Sequence, residues 1–362
     1  MIDLVTPALR DLRGVRALDL RDWDILIRQA RMANVLARLA DDLARAGWLD
    51  DVPAAPRRHL QSALILAARQ RLEVRAESLR VARALAEAGE PLVLLKGAAY
   101  ALADLPCAAG RLFGDIDLLV PRDSLMRAET ALLRHGWISS HLSAYDQKYY
   151  RRWMHELPPL AHTRRMTVLD VHHNILPATA HRPPDASLLL AAARPVAVEG
   201  ADIRVLAPAD MVLHSACHLF HEGELDNGLR DLSDLDRLLR HFDSPDFWAA
   251  LQTRAAALHL QRPLYYALHL CQRILASPIP TTALQRASDA APGYAGLMDA
   301  LYIRALRPNH MLANDAFTPL ARWLLYIRGH WLRMPPHLLA WHLSRKAVVR
   351  RLGLEEDSPR PI

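Results

Sequence analysis

The segment Gly114–Val120, GDIDLLV, sets two carboxylates one residue apart at the start of an apolar run. Side chains alternate across a strand, so Asp115 and Asp117 share one face while Ile116 and Leu118 take the other. Two carboxylates held this way repel by roughly 3 kcal/mol at ~5 Å and an effective dielectric of ~20. A hard divalent cation reverses that sign, because oxygen-rich sites suit ions such as Mg²⁺. The plainer alternative is a pair of acids solvated near a strand end.

Around this strand the chain is written mostly for helices. Of its 362 residues 51% are hydrophobic, and only 14 are glycine; the apolar residues are chiefly Ala and Leu, both strong helix formers. The spacing predicts a helix over Asp22–Ala46, stopped by Gly47. After the connector DDVPAAP, a second long helix is expected over Arg57–Gly89. The texture then changes. Leu92–Leu95 reads as a buried strand turning into a helix at Lys96-Gly97, and GDIDLLVPRD as a second strand stopped by Pro121. A helix with Asp123 or Ser124 as N-cap and Gly136 as C-cap follows. The β-branched run Thr167–Ile175 reads as a third strand, and VAVEGADIRVL as a hairpin. Beyond Ala207-Pro208, helices are expected to about His221 and over Leu229–Arg240, Phe247–His259 and Arg262–Ala276. The expectation is an α+β fold, predominantly helical, with a small mixed β-sheet core over 90–206. Helical regions flank it over 1–89 and 207–362.

Composition narrows the setting. Three cysteines, Cys107, Cys217 and Cys271, have no CxxC spacing, which argues against a disulfide framework and for a reducing compartment. The N-terminal segment is charged throughout, without a signal-peptide apolar run. No apolar stretch reaches the ~18 residues that span a bilayer. A cytoplasmic protein without transmembrane segments is expected. The net charge of +6 is uneven: between Tyr302 and Leu352 lie Arg304, Arg307, Arg322, Arg328, Arg333, Arg345, Lys346, Arg350 and Arg351 against the single acid Asp315. With Trp323, Trp331 and Trp341, this tail reads either as a basic amphipathic surface for an anionic membrane or RNA, or as helices packing their tryptophans on the core.

Several residues near the paired aspartates extend the pattern. Lysine occurs only at Lys96, Lys148 and Lys346, so Lys96 at the end of an apolar strand stands where a cation for a triphosphate would sit, unless it merely snorkels to solvent. Gly97 lets a backbone approach a phosphate closely. Arg111, in AGRLFGDID with Gly110 and Gly114, is placed for a phosphate oxygen, although arginine is abundant and an ordinary surface residue is the alternative. Asp170, in TVLDVHHN, is an acid in mid-strand, costly to bury without a partner. On an adjacent strand it would complete a three-acid cage; the alternative is a salt bridge to an arginine.

The joint order LVLLKGAAYA, RLFGDIDLLV, GW and VLDVHHN, with the helix APADMVLHSACHLFH, resembles a bacterial family of uncharacterised nucleotidyltransferases within the DNA-polymerase-β-like superfamily. The resemblance covers most of residues 20–275, its sharp motifs about thirty of them. It implies a nucleotidyltransferase core that moves a nucleoside monophosphate from an NTP to a hydroxyl on protein, RNA or a small molecule. Catalysis would fall to Asp115, Asp117 and Asp170 as ligands of Mg²⁺ or Mn²⁺, with Lys96, Gly97, Arg111 and Gly114 binding the nucleotide. The wider superfamily usually has Gly-Gly or Gly-Ser where this chain has Gly97-Ala98, which removes one hydroxyl contact to phosphate. Two rival functions remain: a decayed core that senses NTP or acts as a scaffold, and a D-x-D nucleotide-sugar glycosyltransferase, which would need a larger Rossmann-like sheet ahead of the motif.

His172 shares the Asp170 face and could orient that carboxylate as a supporting residue, while neighbouring His173 is ambiguous. His214, His218 and His221 lie along one helical face. With Glu222 they could ligate zinc, Cys217 pointing elsewhere; otherwise they line the cleft or sit in the core. Asp231, Asp234 and Asp236 read as solvated or capping acids among leucines, or as acids near the cleft.

Overall fold

The computed structural model describes residues 1–139, 147, 150–151, 153–198, 200–221 and 223–333. Lys148, Glu222 and the tail beyond Arg333, with Trp341, Arg345, Lys346, Arg350 and Arg351, lie outside the described residues. The fold is α+β and predominantly helical, built on one mixed sheet. Its strands are β1 (Leu92–Leu94), β2 (Ile116–Leu119), β3 (Trp137–Ser139), β4 (Leu160–His162), β5 (Val168–His172), β6 (Arg194–Pro195) and β7 (Ile203–Val205). They lie in the order β3-β4-β5-β2-β1-β7-β6. β1 pairs antiparallel with β2 and parallel with β7, and β2 runs parallel to β5.

β1 and β2 are buried along their whole length, which is why β1 reads as an unbroken apolar run and β2 as one interrupted only by Asp117. The short helix Lys96–Leu102 leaves β1 and lies against β2, wedged between the long helix Ala54–Ala86 and the helix Pro208–His221. Leu92, Leu94, Leu118, Leu119, Leu169 and Val171, all fully buried, form the centre of the main core. A second cluster gathers Trp23, Leu26, Ala30, Leu39, Leu43 and Leu60 near the N-terminus. The long helix joins the two, giving Leu60 to one and Val81 and Leu85 to the other.

The predicted helix over Asp22–Ala46 divides into Leu20–Met32 and Leu36–Arg45. Asn34 takes a left-handed φ of +56°, a conformation asparagine tolerates better than most residues, and its side chain reaches Asn227 at 3.3 Å. The hairpin is present, but its first strand is the Arg194–Pro195 pair rather than the valine-rich stretch after it. β3 and β4 escape the sequence reading, being three residues each without the unbroken apolar run of β1.

Of the tail tryptophans, the two described ones do not pack on the core: Trp323 and Trp331 are 57% and 60% exposed. The helix Thr318–Arg333 instead buries Ala321, Leu325 and Gly329, one stripe at i, i+4 and i+8 that turns both tryptophans outward. The basic character of the stretch from Tyr302 onward is partly spent internally. Arg304 and Arg307 pair with Asp315, and Arg328 donates to Phe220 O and Tyr302 Oη. No helix among the described residues is long and apolar enough to cross a membrane.

One buried ion cluster ties three stretches of chain together. Arg38 pairs with Asp234 and donates to Cys107 O at 2.7 Å, while Arg111 Nε donates to Asp234 Oδ2 at 3.0 Å. All three side chains are buried. Asp234 is therefore neither solvated nor a cap, contrary to the sequence expectation, because the arginines that neutralise it lie 196 and 123 residues away. Asp236 is also buried, accepting from Ser277 and Arg240. Burial pushes Asp234 up, but Arg38 and Arg111 outweigh it and hold the carboxyl below its ordinary 3.8. Asp234→Asn should cost about 3–5 kcal/mol in a denaturant titration at neutral pH, since it leaves buried cations unpaired. The folded pKa is depressed, so this advantage of the wild type should shrink as pH falls below 3.8.

Candidate active site

The parallel register of β2 and β5 sets Asp117 directly opposite Asp170. Asp115 lies one residue ahead of β2, on the same face as Asp117 by alternation. One carboxylate oxygen from each of the three lies within 4.8 Å of the others. Asp117 is buried, Asp170 half-buried and Asp115 exposed. The strands thus bring together the three acids expected from the sequence.

Their charges are not balanced from within. The charge of Asp117, then burial, raises Asp115. Burial, then Asp117 and Asp115, pushes Asp170 up to about 8. Burial also works against ionised Asp117, yet Lys96 and His172 hold it well below the usual carboxylate range. Asp170 Oδ1 is buried and accepts no hydrogen bond from a described residue. Crowded carboxylate oxygens, one of them orphaned, fit a hard divalent cation.

β1 delivers the cation that is present. Leu95 N donates to Asp117 O at 2.9 Å, extending the β1–β2 ladder to the strand end. Lys96 Nζ reaches Asp117 Oδ1 at 2.9 Å, so it does not simply snorkel to solvent. Its backbone is in the left-handed region, φ +45°, a conformation that costs a non-glycine residue energy and tends to persist where function requires it. His172 Nε2 contacts the same oxygen at 3.0 Å. It supports Asp117 rather than Asp170, the acid expected from strand alternation, because parallel pairing places β5 residues beside β2. Burial opposes a charge on His172, but Asp117 and Glu156 outweigh it and raise its pKa.

Arg111 is buried against Asp234, not on the surface. Its guanidinium carbon lies 5.9 Å from the centre of the Tyr100 ring and 5.5 Å from that of Phe113. Burial opposes its charge, Asp234 supports it, and the balance raises its pKa. Gly97 makes this position possible: a Cβ there would lie 2.2 Å from Arg111 Nη1. Gly110 has a different task. At φ +61° its Cβ would meet the Ala37 carbonyl oxygen at 2.4 Å, so only glycine lets the loop rest on the helix that carries Arg38. A Cβ on Gly114 would meet open space.

The helix Pro208–His221 closes the rear of the site. His214 is buried, and burial, then Lys96 and His218, keep it well below the ordinary histidine range. His218 lies within electrostatic reach of Asp115. His221 faces elsewhere, lowered to about 4 by burial, Arg328 and Arg333. Cys217 does not point away from it, since Sγ lies 3.9 Å from His221 Nδ1. Among the described residues, His214, His218 and His221 form no metal-holding group; Glu222 lies outside them. Sequence reasoning misses Arg38, His155 and Glu156. His155 and Glu156 sit in the stretch WMHELPP, which has no strand or helix periodicity, and nothing local marks Arg38 among so many arginines.

Residues 19–276, most of the chain, match the family model described as uncharacterised nucleotidyltransferase. The chain belongs to that family. Both strands that carry the acids, and the helices packed behind them, fall inside the part of the chain that matches this nucleotidyltransferase family. No curated protein and no solved structure matches it.

Two outcomes follow from this geometry. Gly110→Ala should lower the thermal midpoint more than Gly97→Ala, because the first collides with backbone and the second with the end of a flexible side chain. Mg²⁺ at ten times its Kd should stabilise the wild type by about 1.4 kcal/mol, and Asp115→Asn should lose most of that gain in a thermal-shift titration.

Proposed function

We propose that this chain transfers a nucleoside monophosphate from an NTP to a hydroxyl acceptor, with Mg²⁺ or Mn²⁺ held by Asp115, Asp117 and Asp170. The observation that carries the reading is the convergence of three carboxylates from two parallel strands beside Lys96. Membership of a nucleotidyltransferase family supports the class of reaction. Ions at the three acids would neutralise triphosphate oxygens and acidify the acceptor hydroxyl, as paired metal sites do.

The chain's own residues supply position and charge. The acceptor oxygen bonds to the α-phosphorus while the bond from that phosphorus to the β-bridging oxygen breaks, releasing pyrophosphate; the acceptor's proton passes to solvent. Lys96 carries three N–H donors, enough to hold Asp117 and a phosphate oxygen together. Arg111 meets Asp234 through Nε, and its planar fork keeps further donors for the leaving pyrophosphate. Gly97 keeps the loop low enough for that guanidinium to approach. His172 holds the Asp117 carboxylate in place, while His214 and His218 form the wall behind it. Fixed charges of this kind lower the barrier because they need no reorganisation during the reaction. The acceptor is a hydroxyl of a protein, an RNA or a small molecule. A glycosyltransferase would need a larger sheet ahead of the motif, whereas β1 is the one strand described before it.

Incubation with Mg²⁺, α-³²P-labelled NTPs, RNA and cell extract should label an acceptor and release pyrophosphate. Asp115→Asn should lower the rate by roughly 10²–10³-fold with little change in thermal midpoint, because Asp115 is exposed. Asp117→Asn should also lose stability, since it removes the charge that pairs with Lys96 and His172. NTP bound tightly without pyrophosphate release under every condition would replace this reading with that of a sensor.

A further inference from the structure

A second group of ligating side chains lies beside the three acids, and the proposed reaction leaves it without a task as a group. One ring nitrogen each of His155 and His172 and one oxygen of Glu156 lie within 4.8 Å of one another. His172 Nδ1 is 3.2 Å from Glu156 Oε2. The two imidazole centroids are 5.3 Å apart, with their planes tilted by 31°. Both histidines are buried and Glu156 is half-buried.

Main-chain bonds hold this arrangement. Glu156 forms an antiparallel bridge with His172. Leu157 N donates to Val171 O, and His173 N to His155 O, both at 2.8 Å. The segment therefore rides on the end of β5 and inherits its rigidity, as a preorganised ligand set requires. His155 Nδ1 is buried without a hydrogen-bond partner among the described residues. A buried ring nitrogen of this kind costs energy unless it gains a partner.

We infer that His155, Glu156 and His172 form a site for a borderline divalent cation of the Zn²⁺ class, separate from the all-carboxylate group of Asp115, Asp117 and Asp170. Two imidazoles with one carboxylate suit such ions, whereas carboxylates alone suit Mg²⁺. Three protein ligands leave a coordination position for water or a substrate oxygen. The two groups share an edge, because the other nitrogen of His172 contacts Asp117. A cation at the second site fixes the ring that supports Asp117, the usual way in which an outer contact tunes an inner ligand.

The test uses the tag-free full chain, stripped of metal and titrated with Co²⁺ in excess Mg²⁺. Binding is followed by visible d–d absorption and by elemental analysis. One equivalent of Co²⁺ with the bands of a low-coordinate site is expected. His155→Ala and Glu156→Gln should each weaken it by about tenfold or more, while Asp115→Asn keeps it. Circular dichroism checks each variant's fold; should His155→Ala fail to fold, Glu156→Gln decides. Displacement of Co²⁺ by Mg²⁺, or unchanged Co²⁺ binding in the folded variants, overturns the proposal. The readout needs no NTP, so absence of nucleotidyl transfer leaves it unaffected.

Discussion

Like charges held at close range dominate this molecule's centre. Asp117 and Asp170 face each other across a parallel pair of strands, and Asp115 crowds them from the strand mouth. Main-chain hydrogen bonds of the sheet fix the backbone register that sets Asp117 opposite Asp170. What the protein adds is limited compensation: Lys96 and His172 both reach one oxygen of Asp117. Asp115 and Asp170 are left with raised pKa values and a demand for positive charge from outside. The sheet stores an electrostatic cost that a polyanion accompanied by divalent cations would relieve.

The arrangement of cations follows from the same constraint. Arg111 would be expensive to bury alone, and Asp234 makes its burial tolerable. Asp234 in turn holds Arg38, so two arginines share one buried acid. Gly97 and Gly110 serve this cluster sterically. One lies under the Arg111 guanidinium and the other under the helix bearing Arg38.

Local pattern carries much of this. Apolar runs mark β1 and β2 and β-branched residues mark β5, and the alternation rule by itself puts Asp115 and Asp117 on one face. Asp170 stands out because a mid-strand acid is costly. β3 and β4, three residues each with mixed polarity, carry too little pattern to register. The break at Asn34 escapes because the apolar spacing continues across it. Arg38, Asp234, His155 and Glu156 are illegible for another reason. Their environments come from residues far away in sequence, and an acid's surroundings cannot be read from the leucines beside it. The exposed Trp323 and Trp331 show the same limit in reverse, since small residues on the opposite stripe decide which side of the helix faces inward.

The Arg38–Asp234–Arg111 cluster has a practical consequence for dissecting the chain. A fragment confined to residues 90–206 would contain Asp115, Asp117, Asp170, Lys96 and Arg111, yet it would lack Asp234 and Arg38. Its guanidinium would have to swing into water or collapse onto the nearest carboxylate. Excision would therefore preserve the list of site residues while scrambling their allegiances. The flanking helices belong to the site's electrical circuit as much as to its scaffold.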